Sequence, residues 1–391
     1  MADTITNMFL RHSVFLSRLT GGLGAEQIAI IDKNNPELRG ELLQFLDDNE
    51  FYKLTKAQQD RIAVFRNKVY KLRGAAVLDA SDKYSADMFE LAEKEQLFIA
   101  KGIEDLGTKS LALSSPAALK KMTERTPFLG STINQIYTKL SVDDTNRIMN
   151  TTVEGIKGGL TRSEIEKSIF GTKKLGYKDG ILQQARNYIN NTNTNSGVVR
   201  TVTNGIVSQS RADLYEANSD IVSSVKLRAF LDGRTSMVCK SRSNNEYRRG
   251  FEPPLPFHIN ERSYYEPVIE GFEDIKGTQP YVADTRTRKE REKDFRKDAK
   301  DNGTTIKQER EAWKRKAIGQ APDTFNYDDW LRTQSVAFQK ESLGATPYKL
   351  WKNGDMKFDR FVDPTNKSYT LSELYSLNEA SFRKAGVAKP K

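Results

Sequence analysis

Apolar residues recur about every three or four positions along most of the chain up to Val222, the spacing of one buried helix face. In Phe9–Leu19 they follow this spacing, and Gly21, Gly22 and Gly24 predict a stop. Pro36 suits the first turn of a second helix, whose apolar face takes in Leu38, Leu42, Phe45 and Leu46. Thr55 is placed to cap a helix over Lys56–Arg73, with Ile62, Phe65, Val69 and Leu72 on one stripe. Ser85–Leu106 repeats the pattern with Phe89, Ala92, Leu97, Ile99 and Ile103. From Ser115 to Gly159, breaks at Pro116, Pro127 and Gly130 predict shorter helices. Thr161 and Glu164 form a capping-box pattern that Gly171 closes. Gly197–Val222 reads as a long helix, and Val225–Leu231, with β-branched and aromatic residues, as a strand. The plainer use of the apolar faces is a bundle core; the alternative is a docking surface for a partner ring.

After Asp284 the pattern changes. Residues 286–316 hold 13 Lys/Arg against 7 Asp/Glu, and Asn302-Gly303 divides them into two helical pieces, Thr285–Asp301 and Thr305–Ile318. With only Phe295, Ile306 and Trp313 as sizeable apolar groups, these pieces predict a solvated helical arm. Its cations are Arg286, Arg288, Lys289, Arg291, Lys293, Arg296, Lys297, Lys300, Lys307, Arg310, Lys314, Arg315 and Lys316. They are equally candidates for DNA phosphates, because each neutralised phosphate releases counterions and gives salt-sensitive, sequence-independent binding. Globular character returns at the end of the chain. Phe325, Trp330, Leu331, Phe338, Leu343, Leu350, Trp351, Phe358, Phe361, Leu371 and Leu374 supply a small core. Asn353-Gly354 marks a turn, and Thr370 with Glu373 a further capping box. The expected fold is mainly α in four parts. These are a helical bundle over 1–150, an α+β domain over 151–284, the basic arm over 285–318 and a small α+β module over 319–391.

The 391 residues are 37% hydrophobic and 29% charged, a balance that suits long solvated helices and modest cores. The formal charge of +10 favours an anionic partner, whether nucleic acid, an acidic protein surface or a membrane. The lone Cys239 excludes an intramolecular disulfide and fits a reducing compartment. Two histidines, His12 and His258, leave little room for a histidine-rich metal site or a catalytic triad. Met1-Ala-Asp-Thr-Ile-Thr has no basic stretch leading into an apolar one, so no secretory leader is expected. No run approaches the roughly 18 apolar residues of a membrane span.

The stretch richest in chemical signals runs from Leu231 to Ser263. Asp232-Gly233 predicts a tight turn after a strand, with Asp232 accepting backbone N–H groups and Arg234 able to fork onto a carboxylate or phosphate. The proline-rich piece starting at Pro253-Pro254 is extended and stiff, and delivers His258 and Arg262 to a fixed place. Two polar clusters about 25 residues apart are therefore expected to converge. Asp232, Arg234, Thr235 and Cys239, followed by Pro253, Pro254, His258, Arg262 and Ser263, resemble a motif of the minor head, or head-morphogenesis, proteins of tailed bacteriophages. That family is named for the phage Mu F protein, and its pattern is D-x-R-T-x-x-x-C, a variable loop, then P-P-x-H-x-x-C-R-S. Arg200-Thr201 and Arg211–Asn218 resemble the family's preceding helix. Asp329–Gln334, Phe338-Gln339, Leu343-Gly344 and Asp359–Asp363 resemble a module found downstream, so the likeness covers roughly 150–391.

One departure matters. Glu261 stands where relatives carry a second cysteine. A zinc site on Cys239, His258 and that cysteine would lose a thiolate, so a clasp of hydrogen bonds is expected instead, with no metal or cofactor. In that clasp Arg262 pairs with Asp232 or Glu261, and Cys239 is a small buried apolar residue. The resemblance implies a few copies at the portal vertex, inside the virion and earlier in the host cytoplasm. It implies contact with the portal or major capsid protein and with double-stranded DNA, and work in head assembly, packaging and ejection without catalysis or membrane.

Two alternatives differ in kind. One is an internal virion protein ejected with the DNA. The other is an enzyme, either a metal-dependent nuclease or an ADP-ribosyltransferase. A Cys/His cluster with Asn260 suggests the nuclease, but that chemistry wants a histidine base plus metal ligands, often histidines, and only His258 is at hand. The Glu290/Glu292 and Glu309/Glu311 pairs lie in charged helices, where a solvated face explains them better.

Overall fold

The glycines at 21, 22 and 24 do not end the first helix: α1 runs unbroken over Ile5–Asp32. Leu16, Thr20, Leu23, Gln27 and Ile31 form its buried stripe. Glycine costs a helix interior about 1 kcal/mol each, whereas burying each leucine or isoleucine side chain returns about 1.5–3 kcal/mol. Gly24 also has a packing role, since a Cβ there would fall 2.3 Å from the Asn190 amide nitrogen. The computed structural model describes residues 5–47, 55–128, 130–191, 197–269, 271 and 277–390.

Helices α2 (Asn35–Asp47) and α3 (Lys56–Val69, capped by Thr55) follow. A π turn at Tyr70–Gly74 then leads into α4 (Ala75–Glu104), which starts at Ala75 instead of the expected Ser85. The π turn buries Arg73, whose guanidinium holds Asp144 at 2.6 Å and Asp32 at 2.7 Å. α5 (Pro116–Arg125) is short, but α6 (Ile133–Lys157) is one helix of 25 residues that crosses the boundary expected at 150. α7 (Arg162–Phe170), α8 (Leu182–Ile189) and α9 (Val198–Ala217) complete the helical part. Ile189, Val199, Val202 and Ile206 share one core with Leu16, Tyr84, Met88 and Tyr137. The bundle therefore extends to residue 217, because the apolar face of α9 packs chiefly on α4 and α1, with α5 and α8 beside them.

The molecule is mainly helical, with two small sheets. The first places β1 (Val222–Arg228) between β3 (Glu246–Arg248) and β4 (Tyr264–Ile269), both antiparallel to it. Val225, Leu227 and Tyr264 share one core with Phe9, Ile99 and Leu214 of the bundle. The second sheet has β5 (Thr278–Val282) between β2 (Leu231–Asp232), parallel, and β6 (Ile318–Pro322), antiparallel. A six-residue helix, α10 (Met237–Arg242), follows β2. α11 (Arg288–Asn302) and α12 (Ile306–Ala317) form a hairpin between β5 and β6, close to the two pieces expected.

After β6 come α13 (Tyr327–Arg332), α14 (Val336–Leu343), α15 (Ala345–Lys352) and α16 (Leu371–Lys384). Trp330, Leu331, Phe338, Leu350, Trp351, Phe358, Phe361 and Leu374 form their core, which also receives Leu231 of β2. Leu371, expected in this core, is exposed as the first residue of α16. No helix among the described residues is long and apolar enough to cross a membrane.

Candidate functional site

The two polar clusters of Leu231–Ser263 do converge. β2 ends on Asp232, where the chain turns so that the carboxylate accepts the Arg234 backbone N–H at 3.0 Å and the Thr235 hydroxyl at 3.0 Å. Arg262, from the far end of the loop, adds a forked pair at 2.7 and 2.9 Å. Burial pushes the Asp232 carboxyl up, but Arg262 beside it outweighs that and holds it below the ordinary aspartate range. The guanidinium also lies over the Phe230 ring, 5.1 Å from its centroid. Of the two partners expected for Arg262, the side chain takes Asp232; Glu261 receives only its backbone N–H, at 2.9 Å.

Cys239 corrects the expectation of an apolar filler. Ser236 caps α10 and turns the first helical residues inward. The Cys239 thiol then faces Glu261 Oε1 at 3.2 Å, His258 Nε2 at 3.3 Å and the Ser236 hydroxyl at 3.0 Å. Burial, with Glu261 adding to it, raises the thiol to about 12. His258 and Glu261 approach each other at 3.2 Å, and Ser236 Oγ is 2.8 Å from His258 Nε2. Glu261 is 1% exposed, its Oε1 also accepting the backbone N–H groups of Arg262 and Ser263. Cys239, His258 and Glu261 thus form a group that could hold a metal ion. Pro253 and Pro254 stand outside this group: the Pro253 carbonyl accepts the Tyr265 hydroxyl at 2.7 Å, tying the loop to β4.

Beside the clasp opens a cleft of about 630 Å³ lined by Arg18, Arg200, Asn204, Arg234, His258 and Arg262. Burial lowers the Arg200 and Arg234 guanidinium groups, and repulsion from Arg262 adds to it in both, so the wall carries positive potential. A second buried group was not anticipated. Glu95 receives Arg211 at 2.7 Å and His12 at 2.6 Å, joining α4, α9 and α1. Burial pushes Glu95 up, but Arg211 and His12 hold it below the ordinary glutamate range. The signal available was a glutamate inside an apolar helix stripe; nothing in the spacing of His12 and Arg211 pairs them.

The hairpin has a different arrangement. Phe295 and Trp313 pack between its helices, and the Trp313 indole N–H donates to Asp284 at 2.6 Å. Arg286 pairs with Asp284 and Asp294, Arg310 with Glu292 and Lys314 with Glu311. Arg291 lies over the Trp313 ring. Arg288, Lys289, Lys293, Arg296, Lys297, Lys300, Lys307, Arg315 and Lys316 are exposed and form no ion pair among the described residues. Glu292 and Glu311 each hold a cation of the hairpin, and Glu290 caps α11. No protein-family model, curated protein or solved structure shows a significant match to this chain.

Proposed function

We propose that the chain is a minor head protein of a tailed bacteriophage, seated near the portal vertex and acting by binding alone. The observation that carries the reading is the convergence of the motif's separated halves. Asp232 meets Arg262, and Cys239 meets His258 and position 261, in one buried clasp. A motif of scattered polar residues that folds into one unit behaves as a structural signature, which is how the resemblance uses it. The finer division follows. The bundle offers helical faces to the portal or major capsid protein, and the α11–α12 hairpin supplies cations to the genome's phosphates. The absence of a groove-reading helix from the motifs argues for non-specific contact.

The test is the composition of assembled particles. Mass spectrometry with cross-linking on purified heads, before and after DNA release, should find the chain retained and linked to portal or major capsid protein. Departure with the DNA would make it an ejected internal protein. Its absence from particles would sink the reading altogether.

A further inference from the structure

We infer that Cys239, His258 and Glu261 bind a zinc ion, with the Ser236 side as the fourth coordination position. Three observations lead there. The first is spacing. A tetrahedral zinc, with Zn–S of about 2.3 Å and Zn–N or Zn–O of about 2.0–2.2 Å, sets its ligand atoms about 3.3–3.6 Å apart. The sulfur lies 3.3 Å from the imidazole nitrogen and 3.3 Å from Glu261 Oε2, and the nitrogen 3.2 Å from that same oxygen. All three edges are within a few tenths of an ångström of that figure.

The second is the direction of the imidazole. Its Nδ1 is 2.8 Å from the Ile259 carbonyl oxygen, an atom that only accepts. Nδ1 therefore carries hydrogen and Nε2 is the nitrogen turned into the cluster. A backbone carbonyl holding the far nitrogen is the usual support of a zinc-bound histidine. In the neutral ring the Nε2 lone pair then faces a carboxylate that has no hydrogen to give. One S–H and one O–H, from Cys239 and Ser236, would have to serve both. A cation in the middle suits this arrangement, because every inward atom then becomes a donor of electron pairs.

The third is charge. A thiolate and a carboxylate sum to minus two, so zinc makes a neutral cluster, a form that burial at the 1%-exposed Glu261 and 2%-exposed Cys239 tolerates. On binding, the Cys239 S–H proton leaves to solvent and the sulfur's electron pair goes to the metal. Imidazole and thiolate favour zinc over magnesium or calcium, which prefer all-oxygen sets. The fourth position adjoins the Ser236 hydroxyl, 3.0 Å from the sulfur and 2.8 Å from Nε2, where it or a water would complete the tetrahedron. The ion would staple α10 to the end of the 253–263 loop.

The untagged full-length chain, purified without chelator, should contain about one zinc by elemental analysis, or take up one on titration. Cobalt substituted into it should give the visible d–d bands and sulfur charge transfer of a tetrahedral thiolate site. Cys239→Ser and Glu261→Gln should each weaken zinc binding at least about tenfold, and Glu261→Cys should restore it. Less than a tenth of an equivalent after titration, with no shift in Tm on adding zinc, overturns the inference. So does binding of equal strength in Cys239→Ser, which would put the ion elsewhere. The cobalt spectrum of the unmodified chain decides the matter even if the variants fail to fold. None of these readouts depends on the head-protein reading.

Discussion

The clasp and the hairpin were both singled out by charged residues, yet they use charge in opposite ways. In the clasp the two carboxylates and the thiol are enclosed. Asp232 takes four hydrogen bonds from Arg234, Thr235 and Arg262, and Glu261 is almost fully enclosed. In the hairpin most cations point outward, and only Arg286, Arg310 and Lys314 form ion pairs within it. Charge that is enclosed fixes geometry, since removing one partner strands the other in a low dielectric. Charge that is displayed contributes little to folding and remains available to a ligand. The density of charged residues therefore does not tell a binding surface from a structural lock; their mutual pairing does.

The largest expected effect lies in the clasp. Asp232→Ala strands Arg262 and should lower stability by about 3–5 kcal/mol in denaturant titration. A loss under about 1 kcal/mol would erase the contrast. Next, Lys289→Glu with Arg296→Glu and Lys300→Glu should reduce affinity for duplex DNA about tenfold or more and flatten its salt dependence. Unchanged affinity and slope would show that the hairpin does not carry the DNA contact.

Acid should separate the two regions further. Asp232 is depressed in the folded state, so its contribution is present above its ordinary value of 3.8 and is lost as pH falls through the lower folded one. The unmodified chain should thus lose more stability on acidification below about pH 4 than Asp232→Asn does. Parallel curves for the two would contradict this. The smallest effect belongs to the hairpin's own folding. Thr287→Ala removes the capping box of α11 and should cost about 1 kcal/mol, seen as local loss of amide-exchange protection at 288–291.

What could be read from the sequence follows the range of the interactions. Capping boxes at Thr161 and Thr370 depend on residues three apart, and both form as expected. The pair Asp232–Arg262 was within reach because the proline-rich loop limits where Arg262 can go. Gly21, Gly22 and Gly24 misled because propensity is a small local term that the buried stripe of α1 overrides. The boundary expected at 150 falls inside α6, and residues on both sides of it share one core, a fact held in α1, α4 and α9 together. Nothing in the spacing of Arg73 and Asp144 pairs them; their contact depends on the π turn, which has no short-range signature here.

The pairing of Val282 with Ile318 has a consequence for how such a chain can change. The two strands flanking the hairpin are already neighbours, so everything between them enters and leaves the sheet at a single doorway. A two-residue turn could close that doorway and leave the ladder in register. The basic arm is thus a cassette, one that exchange or excision can alter in length and charge while the clasp and the C-terminal core stay as they are.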